Sequence, residues 1–486
     1  MSTSVAEKKA MTQPDSIVTR LVNYAQEIRY DKLTTEAIHE VKRRLIDSFA
    51  CAYGGFHSEP AQIARIMAQS VEAEQYGASV FGLYRPTSPD LAAFANGILF
   101  RYLDYNDTYL SLEPAHPADN IPAVLAVAEP ENASGREIIA AIALAYEIQC
   151  RMCDAASIRT RGWDHVTYGA LSATLGASKI LGLDAEEMTH AMAIAATTNT
   201  NLRQTRIGEL SHWKGVAFAN VARNAVFAAR IAEQGMTGPS HLFEGERGLI
   251  KQVTGEFSLP AFGGENGEQY MINKTYIKFW PAEYHSQSAI DAALQLRSEI
   301  GSADNIESIT IASFDAAVDI IGGEEEKWFP KSRETADHSM PYCVAVALID
   351  GEVTLNSFDN AHLNHPELSA LIQKIRMVRD AECNANYPQG IPNRLTVKLK
   401  DGSTVEKFVT YPRGHAGNPM SDEEVEDKFR RMSHGMAAKK TQNHILETIW
   451  NLEEIEDLYE DLMGAFVIGK TRWIVLKQRV EQRPHE

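Results

Sequence analysis

The spacing of apolar residues changes period along this chain, and that change constrains the fold more than any other feature. From Ser16 to about Gly238 apolar residues recur at helical spacing, as in TTEAIHEVKRRLIDSFACAYGG, DLAAFANGILFRYLDY and GREIIAAIALAYEIQCRMC, with Gly or Pro between the runs. Two segments rich in Ala, Gly and Ser, ALSATLGASKILGL and EEMTHAMAIAATT, read as inner helices that approach closely and bury most of their circumference. After about Tyr276 the pattern becomes two-residue: IESITIASF alternates, and RLTVKLKDGSTVEKFVTY reads as two strands joined at Asp401-Gly402. Helical stretches, SQSAIDAALQLRSEI and HSMPYCVAVALID, lie between these strands, which makes the region α+β. From Ser421 helical spacing returns in DEEVEDKFRRMS and NHILETIWNLEEIEDLYEDLM. The expected fold is mainly α. It has a large all-helical domain over 1–273 with a loose tail at 1–14, a smaller α+β lid domain over 274–413, and C-terminal helices over 414–486 that return to the helical domain.

A chain of 486 residues exceeds the usual size of a single core, which agrees with two domains. Against 47 Lys and Arg stand 65 Asp and Glu, a formal net charge of −18, which opposes binding to nucleic acid or to an anionic membrane. A small anionic substrate would then need a local cationic pocket. No apolar run approaches the roughly 18 residues of a membrane span, and the first residues lack the pattern of a targeting peptide. The five cysteines are scattered and odd in number, which suits a reducing compartment, and the expected location is the cytoplasm.

Several polar clusters interrupt the helical pattern. Asp104-Tyr-Asn-Asp107-Thr108 ends an apolar helix and is followed by His116-Pro-Ala-Asp119-Asn120, where a carboxylate can fix the tautomer of a histidine and raise its pKa. The same residues can equally cap helices. His165, after Asp164, opens an Ala/Gly-rich helix, and structural use there is as natural as catalysis. Lys214 follows Arg203 and Arg206, three cations in a short stretch of an acidic protein, suited to a substrate with several carboxylates or to a solvated basic turn. Lys278 and His285 flank Pro281 at a strand-to-helix junction, and Asp337-His338-Ser339 with Tyr342 opens another apolar helix. No GxGxxG after a strand, GxxxxGK[ST], HExxH or GxSxG occurs, and the one CxxC, Cys150 to Cys153, lies in a helical pattern without a nearby third cysteine.

Taken in order, YLDYNDTYLSLEPAHPADN, WDHV, Lys214, KFWPAEYHSQSA, ADHSMPYCVAVALIDGEVT and YPRGH resemble the 2-methylcitrate dehydratase (MmgE/PrpD) family over most of the chain. The resemblance implies a helical domain completed by C-terminal helices, an α+β lid, and a homodimeric lyase that needs no cofactor and no metal. The family also contains cis-aconitate decarboxylases, whose active-site residues look similar to Asp104, Thr108, His116, His165, Lys214, Lys278 and Tyr342. The spacer between Thr108 and His116 looks more like that of the dehydratases, since the decarboxylases have a shorter loop. On this basis Asp104, Thr108, His116 and His165 form the catalytic set, with Arg206, Lys214, Lys278 and Tyr342 as substrate ligands. The expected reaction dehydrates 2-methylcitrate, or citrate, to the corresponding cis-aconitate. The alternatives are decarboxylation of cis-aconitate, action on another small polycarboxylate, and a non-catalytic helical binding protein.

Overall fold

In the computed structural model, residues 16–73, 75–208 and 210–468 are described; the expected tail at 1–14 and the end of the C-terminal segment, 469–486, lie outside them. The helical pattern of the first half becomes α1 (Ser16–Glu27), α2 (Thr35–Gly55), α3 (Glu59–Gln69), α4 (Pro89–Arg101), α5 (Ile121–Ala128), α6 (Gly135–Ala155), α7 (Gly169–Ile180), α8 (Ala185–Thr198) and α9 (Trp213–Glu233). Three of their starts are set by side chains that satisfy otherwise orphaned backbone N–H groups: Thr34 before α2, and capping boxes of Ser134 with Glu137 and Asp184 with Glu187 before α6 and α8. Among the described residues no helix is long and apolar enough to cross a membrane.

Of the two segments expected inside, α7 is buried without a break from Gly169 to Ser178. The other, α8, is buried only in part, through Met188, Ala191, Met192, Ala193, Ala195 and Ala196, and leaves Glu186 in solvent and Glu187 half-buried. Small residues permit burial, but the acidic first turn of α8 needs water.

The approach that matters for function is between α4 and α9. A Cβ on Gly97 would sit 2.9 Å from Cβ of Ala219, and one on Gly215 would sit 3.3 Å from Cα of Tyr102. The two helices therefore run antiparallel with their backbones close, and the end of α4 meets the start of α9. Any larger residue at Gly97 would push them apart.

The second hydrophobic core gathers α10 (Gln287–Ile300), α11 (Asp315–Ile321), α12 (Met340–Asp350) and one four-stranded sheet of β1 (Ile306–Ser313), β2 (Ile375–Arg379), β3 (Asn393–Leu399) and β4 (Thr404–Val409). Strand order is β2-β1-β3-β4, with β1 parallel to β2 and the other pairs antiparallel. Ile309, Ile311, Leu395 and Val397 carry the buried face against Ala289 and Ile290 of α10. The expected hairpin forms at Asp401-Gly402, where Gly402 takes φ 89° and the Asp401 carboxylate accepts from Ser403 N at 2.9 Å.

The C-terminal helices α13 (Asp422–Met432) and α14 (Lys439–Trp450) place Val425, Phe429, Ile445 and Ile449 in the first core. The run after Trp450 does not continue as one helix: Asn451 leaves helical geometry, and Asp457 caps a new short turn by accepting from Tyr459 and Glu460 N–H.

Among the contacts between the two bodies, two run through the segment around Tyr276. Thr108 and Tyr276 exchange a pair of backbone hydrogen bonds, both 2.8 Å. Lys428 of α13 pairs with Asp47 of α2 at 2.6 Å and donates to the carbonyls of Tyr105 (2.8 Å) and Lys278 (2.9 Å), all out of water. One ammonium thus fastens three segments. Lys428→Met removes it and strands the Asp47 charge, so urea unfolding should show a loss of about 3–5 kcal/mol; a variant as stable as the parent would refute this assignment.

Candidate active site

Helix α4 ends at Arg101, and three residues later Asp104 turns the chain with φ 53°, the left-handed region that Asp tolerates better than most residues. Its carboxylate is buried and meets cations from three elements. Arg101 pairs with Oδ1, while Lys278 (3.1 Å) and Lys214 (3.3 Å) approach Oδ2. Lys278 also donates to the Asp104 carbonyl at 2.6 Å. Burial would raise the Asp104 carboxyl, but Arg101, Lys214, Lys278 and His338 outweigh it and hold it well below the usual carboxylate range.

Lys214 stands in the first turn of α9, where burial lowers its ammonium to about 8 against the opposing pull of Asp104. It lies 2.8 Å from Nε2 of His338, whose Nδ1 is paired with the Asp337 carboxylate. A carboxylate accepts only, so Nδ1 carries the proton and Nε2 of the neutral ring accepts from Lys214. Burial, and then Lys214, keep His338 below the ordinary histidine value.

His116 is oriented in the same way by backbone. Its Nδ1 donates to the Asp107 carbonyl at 2.8 Å and lies 3.3 Å from Thr108 Oγ1, which leaves Nε2 bare and 3.9 Å from Asp104. Burial and then Arg101 push its pKa well below that of a free histidine, so the ring is neutral at pH 7. His165 is a second buried imidazole, its ring centre 5.9 Å from that of His116. Burial takes it down to about 3 despite neighbouring Asp164. Asp164 Oδ1 lies 3.1 Å from His165 Nδ1, yet the angle is poor and neither ring nitrogen has a hydrogen-bond partner among the described residues. Arg206 braces this corner by pairing with Asp164 at 2.7 Å and donating to the Lys214 carbonyl at 2.9 Å.

Beneath the site lie two carboxyls in a drier environment. Burial raises Asp107 to about 6 and Asp119 to about 7, partly offset by Arg44 and Arg101 respectively. Asp107 is held by Tyr146 (2.7 Å) and by the Ala118 N–H (3.0 Å), and Asp119 by Asn106 (2.8 Å). The five cysteines are buried and free, and among the described residues no group of three or more His, Cys, Asp or Glu side chains is arranged to hold a metal ion.

Asp104, the cations around it, His116, His165 and His338 open into one cavity of about 270 Å³ between the two cores. Seven of the eight residues singled out in the sequence line it: Asp104, Thr108, His116, His165, Arg206, Lys214 and Lys278. Tyr342 is the correction. It faces the second core, where its hydroxyl donates to the Ser357 carbonyl at 2.8 Å, and it is not part of the cavity wall. The sequence reading does not single out Arg101, although its i,i+3 relation to Asp104 is an available signal; it weighs Arg203 and His338 equally between ligand binding and a basic turn or a helix cap, and does not place them in the site. Arg159 and Lys327 also line the cavity, and no pattern around them marks them out.

The MmgE/PrpD N-terminal domain matches residues 19–261 and the MmgE/PrpD C-terminal domain residues 280–454. A 2-methylcitrate dehydratase of Cupriavidus necator is 31% identical over 433 residues, covering 83% of this chain and 86% of the relative. One from Escherichia coli strain K12 is 30% identical, covering 81% and 85%. A cis-aconitate decarboxylase-like protein, oryM, of Aspergillus oryzae is 25% identical, covering 94% and 98%.

The placement of Tyr342 is directly testable. Tyr342→Phe leaves the Ser357 carbonyl without its donor inside the second core, so stability should fall by about 1–3 kcal/mol in denaturant melts, with kcat and KM near those of the parent. A large loss of turnover at unchanged stability would return Tyr342 to the site.

Proposed function

Since the chain belongs to the MmgE/PrpD family, we propose that it is a hydro-lyase that dehydrates 2-methylcitrate, and citrate more slowly, by acid/base chemistry without a cofactor. The observation that carries this reading is the proximity, in one cavity, of an ammonium titrating at about 8 and a neutral imidazole, both fixed around the ionised Asp104.

Dehydration removes a proton from a carbon next to a carboxylate, and the electron pair left behind becomes the new double bond as the neighbouring C–O bond breaks. The departing hydroxide takes a proton and leaves as water. His116 suits the first step: its bare Nε2 faces the cavity while Nδ1 is anchored on a backbone carbonyl. A bound polyanion raises the pKa of a buried imidazole beside it, which strengthens the base when substrate is present. Lys214 suits the second, since its ammonium sits near the operating pH and its lost proton is readily replaced. Held ionised, Asp104 anchors both lysines and is no proton donor. Lys278 binds a substrate carboxylate, Thr108 steadies the His116 ring, Arg206 holds Asp164 beside His165, and His165 offers a second imidazole to the hydroxyl being lost. The α+β body acts as a lid over the cavity, and the protein works as a cytoplasmic homodimer.

The likeness to a cis-aconitate decarboxylase-like protein favours one second reading, because both reactions need the same carboxylate contacts. Product analysis separates them. Purified protein incubated with 2-methylcitrate should form an unsaturated acid seen by ultraviolet absorbance, and exhaustive chelation should leave that turnover unchanged. Carbon dioxide released from cis-aconitate, with no unsaturated product from 2-methylcitrate, would replace the dehydratase reading.

The pH profile tests the assignment of the acid. Lys214 is protonated below about 8 and neutral above it, so kcat/KM should fall as pH rises through about 8. On the other side, His116 stays neutral through the ordinary histidine range, so the rate should hold through pH 6.5. Lys214→Arg keeps its charge at high pH and should be slow but without the alkaline fall. An unchanged alkaline limb in that variant would remove Lys214 as the acid.

A further inference from the structure

The cations of the cavity fall into two groups. Arg101, Lys214 and Lys278 are engaged with Asp104, and Arg206 with Asp164. Arg159, Arg203 and Lys327 line the same cavity, yet their side chains have no hydrogen-bond or ion-pair partner among the described residues. An unpaired cation at a partly enclosed wall is costly to hold and is relieved by an anion.

The backbone around the two arginines is built to keep them together. Glu113, fully buried, accepts from Ser157 Oγ (2.8 Å), Ile158 N (2.7 Å) and Arg159 N (2.7 Å), which fixes the turn that carries Arg159. Trp163 bridges to Leu202, and Arg203 N donates to the Gly162 carbonyl at 2.9 Å, which fastens the second turn to the first. Burial and the neighbouring Arg206 and Arg159 charges depress Arg203, with Asp164 opposing them, so the two guanidinium groups sense one another. Both are half-buried, whereas Lys214 and Lys278 are buried around Asp104. Lys327 projects into the cavity from the other body, in a short helical turn, Glu325–Trp328, whose carbonyl at Lys327 is bonded by Ser339. Glu113 belongs to the spacer between Thr108 and His116, so this spacer supplies cavity wall through Leu110, Ser111 and Pro114 and also the support of Arg159.

We propose that Arg159 and Arg203, with Lys327 facing them, form a clamp for a carboxylate remote from the reacting carbons, and that this clamp selects polycarboxylates carrying a third carboxylate over dicarboxylates. The clamp rests on the reading of the cavity as a polycarboxylate site but does not depend on which reaction follows. Two guanidinium forks and an ammonium match a carboxylate in geometry and charge, and binding through a non-reacting group is how an enzyme positions the carbons that react.

The test uses two unreactive acids, tricarballylate and methylsuccinate, which share a succinate unit and differ by one terminal carboxylate, the one remote from the reacting carbons. Calorimetric titration of the full-length protein should give tighter binding of tricarballylate. In Arg159→Gln/Arg203→Gln that affinity should fall roughly tenfold or more while methylsuccinate shifts far less, so the preference collapses. Lys327→Gln should reduce the preference in the same direction. If the double variant does not fold, the two single variants carry the test. The clamp is overturned if the folded variants keep the parent preference, if both acids weaken equally, or if the parent protein does not prefer tricarballylate. Loss of preference in a protein that dehydrates no tricarboxylate would leave the clamp standing and overturn the dehydratase reading alone.

Discussion

The arrangement depends on one buried carboxylate. Asp104 at this depth is a charge taken out of water, tolerable only because Arg101, Lys214 and Lys278 meet it from separate elements. Those contacts dictate geometry: the end of α4, the start of α9 and the segment after Tyr276 must converge, and the glycines at 97 and 215 are what let α4 and α9 lie close enough. The same cations keep Asp104 ionised, while burial, joined by Arg101 and Lys278, leaves the neighbouring His116 neutral. A charged anchor and uncharged bases coexist through this division.

Around that centre the supporting contacts are largely backbone to side chain, and they orient more than they attract. Asp107 O sets the His116 tautomer, Asp337 sets that of His338, and Lys428 ties the carbonyls of Tyr105 and Lys278 to α13. The C-terminal helices are thereby coupled to the cavity they do not line. The cavity is bounded by both hydrophobic cores, so its shape follows their relative position, and the Thr108 to Tyr276 pairing and the Lys214 to His338 contact are joints between them at the site.

Much of this was legible in the sequence. Periodicity gave the helical body, the α+β segment with its hairpin and the returning helices, since amphipathic spacing reports which face is buried whatever the partner is. It misjudged α8, because an Ala-rich stretch is compatible with burial without requiring it, and it ran on past Trp450, where capping by Asp457 rather than apolar spacing decides. The polar motifs, read with the family resemblance, placed seven residues on one cavity. Tyr342 was misplaced because a phenol near a motif looks the same whether its hydroxyl meets a ligand or a backbone carbonyl.

What the sequence by itself determined is therefore the set of elements, the family and most of the polar residues at the centre, all of which are written in local pattern. What only the tertiary structure decided is which of these groups share a charge environment. Lys214 and His338 are 124 residues apart, yet they lie 2.8 Å from one another. The depression of Lys214, the neutrality of His116 and the unpaired state of Arg159 and Arg203 among the described residues all follow from such distant neighbours. A pKa and an unpaired charge are properties of a three-dimensional environment, set by burial and by charges a few ångströms away, and sequence spacing encodes neither.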